Sequence, residues 1–249
     1  MNSSLSVRIA KTTEDIQAAK RLRFQTFFTD LDIPPPEDSA ASGMDEDRFD
    51  QVAEHLIVVD ESFDNLTVVG NYRLIRAPNF YSSQRYDLSA LMTRPERLLE
   101  VGRSCVHRDY RSGAVMQLLW RGLANYILEK RIEVIFGCAS FEGAYVGDRG
   151  RLLAYLYHYH LAPAELRPRA RQECLIPMNE SEPITGTPRA IWTQFPALVK
   201  GYLRLGAYVG DGAVFDVELD QLDVCVVLET QQITKRYARH YLRSGQYAA

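Results

Sequence analysis

Apolar positions along this chain alternate or recur at helical spacing in a series that reads strand, helix, strand hairpin, strand, helix, strand, helix. Ser6 to Lys11 predicts a short first strand. Thr13 then predicts the N-cap of a helix to about Leu31, with Ile16, Ala19, Leu22, Phe27 and Phe28 as its apolar positions. Glu54 to Asp60 and Thr67 to Arg76, rich in Val, Leu and Ile across the polar turn DESFDN, predict an antiparallel hairpin. Leu98 to Val106 predicts another strand, followed by an amphipathic helix from Gly113 to Lys130. Next come the buried run IEVIFGC and an aromatic helix around Arg151 to His160. A helix lying between two strands implies a crossover and a parallel pairing. The remainder predicts a helix near Pro196 to Leu205, strands at Ala213 to Leu219 and Leu222 to Glu229, and a polar helix to the end.

Two stretches break this rhythm. DIPPPEDSAASGMDEDRFD combines prolines that forbid a continuing helix with small and acidic residues, and predicts a mobile acidic flap able to close over a ligand. Between Leu161 and Arg189, Pro163, Pro168, Pro177, Pro183 and Pro188 are too frequent for a helix interior and too irregular for a strand. They predict an insertion or lid.

A chain of 249 residues with 46% hydrophobic content can bury one large core or two small ones, and we read a single domain over 1–249. A formal charge of −3 gives no electrostatic case for nucleic acid. Cys105, Cys138, Cys174 and Cys225 are scattered without pairing, which suits reduced thiols in the cytoplasm. The N-terminal stretch lacks an apolar signal-peptide core, and nowhere do the ~18 apolar residues of a spanning helix run together. The expected location is cytoplasmic, with contact at the inner membrane face left open as the peripheral alternative.

The chemistry concentrates at Leu98–Lys130, where a strand bearing Glu100 and Arg103 runs through a charged turn ending at Gly113 into a helix. A helix start offers free N–H groups and a positive dipole end that can hold a phosphate, and a strand carboxylate beside it can act as a base. Strict alternation would put Glu100 and Arg103 on opposite faces. A bulge near Gly102 is therefore expected, bringing both to one cleft. His158 and His160, two apart on a helix, do not share a face, so no metal site is expected. His55 and Asp60 form an HxxxxD match on a strand whose ends point oppositely, an accidental pattern. Cys138 has no basic neighbour to make it a nucleophile.

The segments LRFQTFF, DEDRFDQVAEHLIVVD, VVGNYRL, LLEVGRSCVHRDYRSGAVMQLLWRGLANYI and FPALVKGYLRLGAYVGDGAVFDVELDQLDVCVVLE together resemble the bacterial ornithine lipid N-acyltransferases. That family is related to the acyl-homoserine-lactone synthases, whose pattern falls here on Arg23, Phe27, Asp47, Asp50, Arg73, Glu100 and Arg103. The resemblance implies an α/β (α+β), GNAT-like fold with a mixed central sheet flanked by helices. It also implies transfer of a fatty acyl group, typically 3-hydroxylated, from acyl carrier protein to the α-amine of ornithine, giving lyso-ornithine lipid.

On that reading Glu100 and Arg103 are catalytic, and Arg23, Phe27, Asp47, Asp50 and Arg73 bind substrate: acids for the two amines, an Arg for the carboxylate. Tyr145, Tyr155 and Tyr157 are the candidates for protonating the leaving thiolate. GNAT enzymes using CoA usually carry Q/R-x-x-G-x-G/A at the phosphate turn, whereas Tyr110 to Val115 keeps only Gly113. A reduced turn of Arg108, Arg111, Ser112 and Gly113 suits the single phosphodiester of a carrier protein's phosphopantetheine, with no resident cofactor. Two alternatives stand beside this reading: a lactone synthase or other amino acid N-acyltransferase using acyl-carrier or acyl-CoA donors, and a non-enzymatic GNAT-like module on a membrane surface.

Overall fold

The computed structural model describes residues 4–63, 65–76, 78–93, 95–142, 149–182 and 188–236. In chain order the elements are β1 (Leu5–Ile9), α1 (Thr13–Phe24), α2 (Glu37–Ser42), β2 (Glu54–Asp60), β3 (Thr67–Ile75), β4 (Tyr86–Asp87), β5 (Leu98–Val106), α3 (Ala114–Lys130) and β6 (Val134–Glu142). They continue with α4 (Gly150–His160), β7 (Arg169–Ala170), β8 (Leu175–Ile176), α5 (Pro188–Thr193), α6 (Ala197–Leu205), β9 (Tyr208–Asp216), β10 (Gln221–Glu229) and α7 (Thr230–Arg236). The chain forms two compact units, residues 1–76 with 101–131, and 77–100 with 132–249. It passes from the second to the first within β5, between Glu100 and Val101.

In the first unit β1, β2 and β3 form an antiparallel set, with β3 neighbouring β5. Helix α1 starts one residue earlier than the sequence predicts. Thr12 is its cap, because Asp15 at the third helical position reaches back to the Thr12 N–H while Thr12 Oγ1 accepts from the Asp15 N–H. A cap at Thr13 would put Ile16 there, which cannot return the bond. The predicted helix to Leu31 leaves α geometry after Phe24 and continues as a π-helical segment, Gln25–Thr29, where Asp30 N–H bonds Gln25 O at 2.8 Å. Ala18, Ala19 and Leu22 of α1 pack on Ile57, Val59, Val68 and Cys105.

The second unit carries the sheet order β5-β6-β10-β9-β7-β4, with β8 also on β9. The predicted parallel pairing is present: Leu98, Leu99 and Glu100 lie opposite Val134, Ile135 and Phe136. Strand β9 begins at Tyr208, five residues before the expected Ala213, because Gly210 and Gly212 in YVGDG serve close approach instead of a turn. Gly212 has φ +95°, and a Cβ there would sit 2.7 Å from the Ala170 Cβ.

That contact corrects the lid reading of the proline-rich insertion. Its residues 169–176 are stitched to the sheet, β7 parallel and β8 antiparallel to β9, with Asp211 N–H bonding Pro168 O at 2.8 Å. Pro183, Tyr145 and the predicted C-terminal helix beyond Arg236 lie outside the described residues. Among those described, no helix is long and apolar enough to cross a membrane.

Two glycines of the first unit mark where elements touch without room for a side chain. A Cβ on Gly70 would meet Val115 Cγ1 at 2.5 Å, and one on Gly122 would meet Val7 Cγ2 at 2.7 Å and Leu56 Cδ1 at 2.9 Å. Gly122→Val should therefore lower the urea midpoint of unfolding by the equivalent of about 1–3 kcal/mol. Unchanged stability would show that this packing is loose.

Candidate active site

The first unit buries a cluster of three arginines and three aspartates: Arg23, Arg73 and Arg103 against Asp45, Asp47 and Asp50. Arg23, on α1, is the hub. Its Nε donates to Asp45 Oδ2 at 2.7 Å, and its two terminal nitrogens fork onto Asp50 at 2.5 and 3.1 Å. Arg73, on β3, donates to Asp47 Oδ2 at 2.7 Å, and Arg103, on β5, lies 3.1 Å from Asp45 Oδ2 and 3.6 Å from Asp47 Oδ2. Burial alone would raise the pKa of Asp45 and Asp50. The arginines outweigh it, and both carboxyls are held below the ordinary range.

This cluster corrects the picture of a mobile acidic flap. The prolines do end regular structure, but the following acids are neutralised by arginines from α1, β3 and β5, and Asp45 and Asp50 are buried. Asp47 caps the next 3-10 turn by accepting from Phe49 N–H, and Asp50 returns the bond to Asp47 N–H at 2.9 Å. The side chains of Arg23 and Asp50 are 0% exposed, so in this conformation they shape the site instead of touching a ligand. Asp47, at 23%, is the acid of the cluster that reaches solvent. Asp45 was not singled out from sequence, because MDEDRFD offers several acids and only the fold chooses among them.

The expected irregularity in β5 is present and falls on Arg103, whose φ is +47°, one residue after Gly102. Asn71 Nδ2 donates to the Arg103 carbonyl at 3.0 Å and fixes the distortion. The Arg103 guanidinium lies 5.9 Å from the centre of the Phe27 ring, which the π-helical segment presents. Thus Arg23, Phe27, Asp47, Asp50, Arg73 and Arg103 come together in one unit.

Further along that unit, Arg108 and Arg111 are exposed and share Asp30, at 3.8 and 3.3 Å. Arg111 Nε also holds Val106 O at 3.1 Å. Gly113, at φ +102°, caps α3 without a side-chain bond to its first N–H groups, and Ser112 beside it is exposed. The first N–H groups of a helix that starts this way can receive an anion.

Glu100 belongs to the second unit. It is 3% exposed, and its carboxylate accepts from Tyr81 N–H at 2.6 Å, Ser82 N–H at 2.8 Å and Ser82 Oγ at 2.5 Å. The turn that supplies these donors is itself anchored. Arg85 pairs with Asp216 at 2.7 Å, and the Tyr86 hydroxyl donates toward Gly212 O and Asp223 O at 3.3 Å each. Ser82 was missed from sequence, since a serine in RAPNFYSSQRYD carries no spacing signal. Cys138 Sγ lies 3.6 Å from Ser82 Oγ, and desolvation pushes its thiol well above the usual range, in keeping with the absence of a thiolate nucleophile there.

His55, on β2, is buried beside the cluster, 3.6 Å from Asp50 Oδ1 and with neither ring nitrogen hydrogen-bonded. Burial, aided by Arg23, lowers its pKa to about 4, so it stays neutral in the folded state while the unfolded chain takes up a proton below its ordinary value. Stability should therefore fall by about 3 kcal/mol between pH 7 and pH 4, and His55→Gln should flatten that slope in urea titrations. Below pH 4 a second loss, from protonating Asp45 and Asp50, should persist in the variant. Arg23→Met should cost about 3–5 kcal/mol by leaving buried carboxylates unpaired. Tolerance of that change would remove the hub.

Residues 22–121 match the family described as the Acetyltransferase (GNAT) domain. The chain is 39% identical over 251 residues to the L-ornithine N(alpha)-acyltransferase of Rhodobacter capsulatus, covering 96% of this chain and 95% of that protein. It is also 39% identical to the protein of that name from Brucella abortus, over 96% and 89% of the two chains. Among solved structures, the CoA-dependent acyl-homoserine lactone synthase MesI aligns with a TM-score of 0.55 at 13% identity, over 98% of this chain and 97% of that one, which establishes the shared fold. A match of this identity along nearly the whole chain makes this protein a member of the L-ornithine N(alpha)-acyltransferase family.

Proposed function

We propose that this enzyme transfers a fatty acyl group from the phosphopantetheine thioester of acyl carrier protein to the α-amine of ornithine, yielding N-acyl-ornithine, a lyso-ornithine lipid. The observation that carries the reading is the near-full-length identity to relatives named for that acceptor. It also separates this chain from the lactone-synthase alternative, for which the structural likeness speaks only to fold. The amine attacks the thioester carbonyl, a tetrahedral oxyanion forms, and collapse expels the carrier thiol as the amide is made.

In this mechanism Glu100 accepts the proton that the α-ammonium must lose. Support comes from its fixed position: donors on both oxygens hold the carboxylate in place. Asp47 is assigned to an amine of ornithine because it is the acid of the cluster with solvent access, and Arg103 to the acceptor carboxylate. Arg23, Asp50 and Arg73 act as positioning residues that set Asp47 and Arg103. Arg108, Arg111, Ser112 and the α3 start hold the donor's phosphodiester.

Glu100→Gln should lower kcat by about 10²–10⁴-fold while leaving the KM for ornithine within a few-fold, measured on protein whose unfolding midpoint is retained. Full turnover in that variant would reduce Glu100 to a clasp for the Tyr81–Gln84 turn. Asp47→Asn should instead raise the KM for ornithine. With matched acyl chains, the carrier-bound donor should outcompete acyl-CoA, and Arg108→Ala with Arg111→Ala should narrow the difference. Preference for acyl-CoA would overturn the donor assignment.

A further inference from the structure

A cleft of about 360 Å³ in the second unit is lined by Arg189, Trp192 and Thr193 of α5 and Lys200 and Arg204 of α6. Three cations converge on it, and no carboxylate is among its lining residues. Among the described residues none of the three has a carboxylate partner, although the chain as a whole carries −3. Lys200 and Arg204 are four apart on α6, an arrangement in which like charges oppose the helix. The opposite side of α6 is occupied by Val199, Tyr202, Leu203 and Leu205 in the core, so its polar face is turned outward.

The basic cleft continues into rings. The Arg204 guanidinium lies 6.0 Å from the Trp192 ring centre, His160 of α4 lies 6.4 Å from Trp192, and Tyr155 stands between His160 and Tyr159 at 5.8 and 4.8 Å. Tyr159 is 64% exposed, and Trp192 is half-buried. Burial lowers the His160 pKa, so that ring is neutral near pH 7 and presents an amphipathic surface without added charge.

We propose that this basic, aromatic face of the second unit is where the protein rests on a bilayer bearing anionic phospholipid head groups. Lysine and arginine beside a charged leaflet are drawn to it, and Trp and Tyr rings settle at the head-group level with their polar edges wet. An acidic protein surface would match the cations too, but lipid is the better fit for an amphiphilic product and for a face that ends in a largely exposed Tyr159, reached from Trp192 through His160 and Tyr155. The proposal deepens the acyltransfer reading, on which it rests for its purpose: an N-acylated amino acid is an amphiphile that leaves most readily into lipid. Its deciding readout is vesicle binding measured without substrates.

The experiment is co-flotation of the full chain, without substrates, with vesicles of phosphatidylcholine alone or with an equal part of phosphatidylglycerol. Binding should require phosphatidylglycerol, weaken with salt, and fall about fivefold for Lys200→Gln or Arg204→Gln and about a hundredfold for Arg189→Gln, Lys200→Gln and Arg204→Gln together. Trp192→Ala should weaken binding at every salt concentration. Turnover in vesicle-free solution should be unchanged in the triple variant, which also reports that it is folded. The proposal is overturned if the wild-type chain ignores anionic vesicles, binds neutral ones equally, or binds undiminished after the triple substitution. Loss of carrier-dependent turnover with vesicle binding intact would assign the face to the acidic carrier instead. Failure of acyl transfer with vesicle binding as described would leave this inference standing and remove only the enzymatic reading.

Discussion

One buried guanidinium organises the first unit. Arg23 projects from α1 into the buried interior, where its charge requires carboxylates, and the chain supplies them from the irregular segment after the prolines. Asp45 and Asp50 are drawn in by that requirement, and their surplus negative charge in turn fixes Arg103 and Arg73. The segment is thereby tied to α1, β3 and β5 through its carboxylates. Such a network adds little net stability, because desolvation offsets most of the attraction. Its consequence is conformational, since displacing any member strands a charge in the interior.

The same logic explains why the reactive strand departs from ideal geometry. Arg103 at φ +47° bears a backbone cost that a regular strand would avoid, and its ion pair with Asp45 and the hydrogen bond its carbonyl accepts from Asn71 offset it. In the second unit Glu100 is fixed by different means, two backbone N–H groups and a hydroxyl from a turn that Arg85 and Tyr86 pin down. On the proposed mechanism, a carboxylate so held would lose little entropy on meeting an amine.

Much of this was legible in the chain. Long periodic segments such as Leu98–Val106 and the helix to Lys130 stand where hydrophobic spacing predicted them, and so does the β5–β6 crossover. Arg23, Arg73, Arg103, Asp47 and Asp50 of the first unit were named through family resemblance while Asp45 was not, and the irregularity in β5 followed from the odd spacing of Glu100 and Arg103. What escaped was non-local. Whether MDEDRFD is solvated or buried depends on arginines that arrive from about 20 to 60 residues away in sequence. The insertion looked like a lid because two-residue strands between prolines carry no periodicity, and their partner β9 was disguised by glycines. Ser82 has no local signature at all, because its importance is conferred by Glu100 across a turn.

The central claim is the identity of the nitrogen that receives the acyl group. The most direct measurement incubates the purified protein with a carrier-bound 3-hydroxyacyl thioester and ornithine carrying heavy nitrogen at the α-position only, and locates the amide by fragmentation mass spectrometry. The account predicts an acyl fragment that retains the heavy nitrogen. An amide on the light side-chain nitrogen, or no acylated ornithine from folded protein and an intact donor, would contradict it.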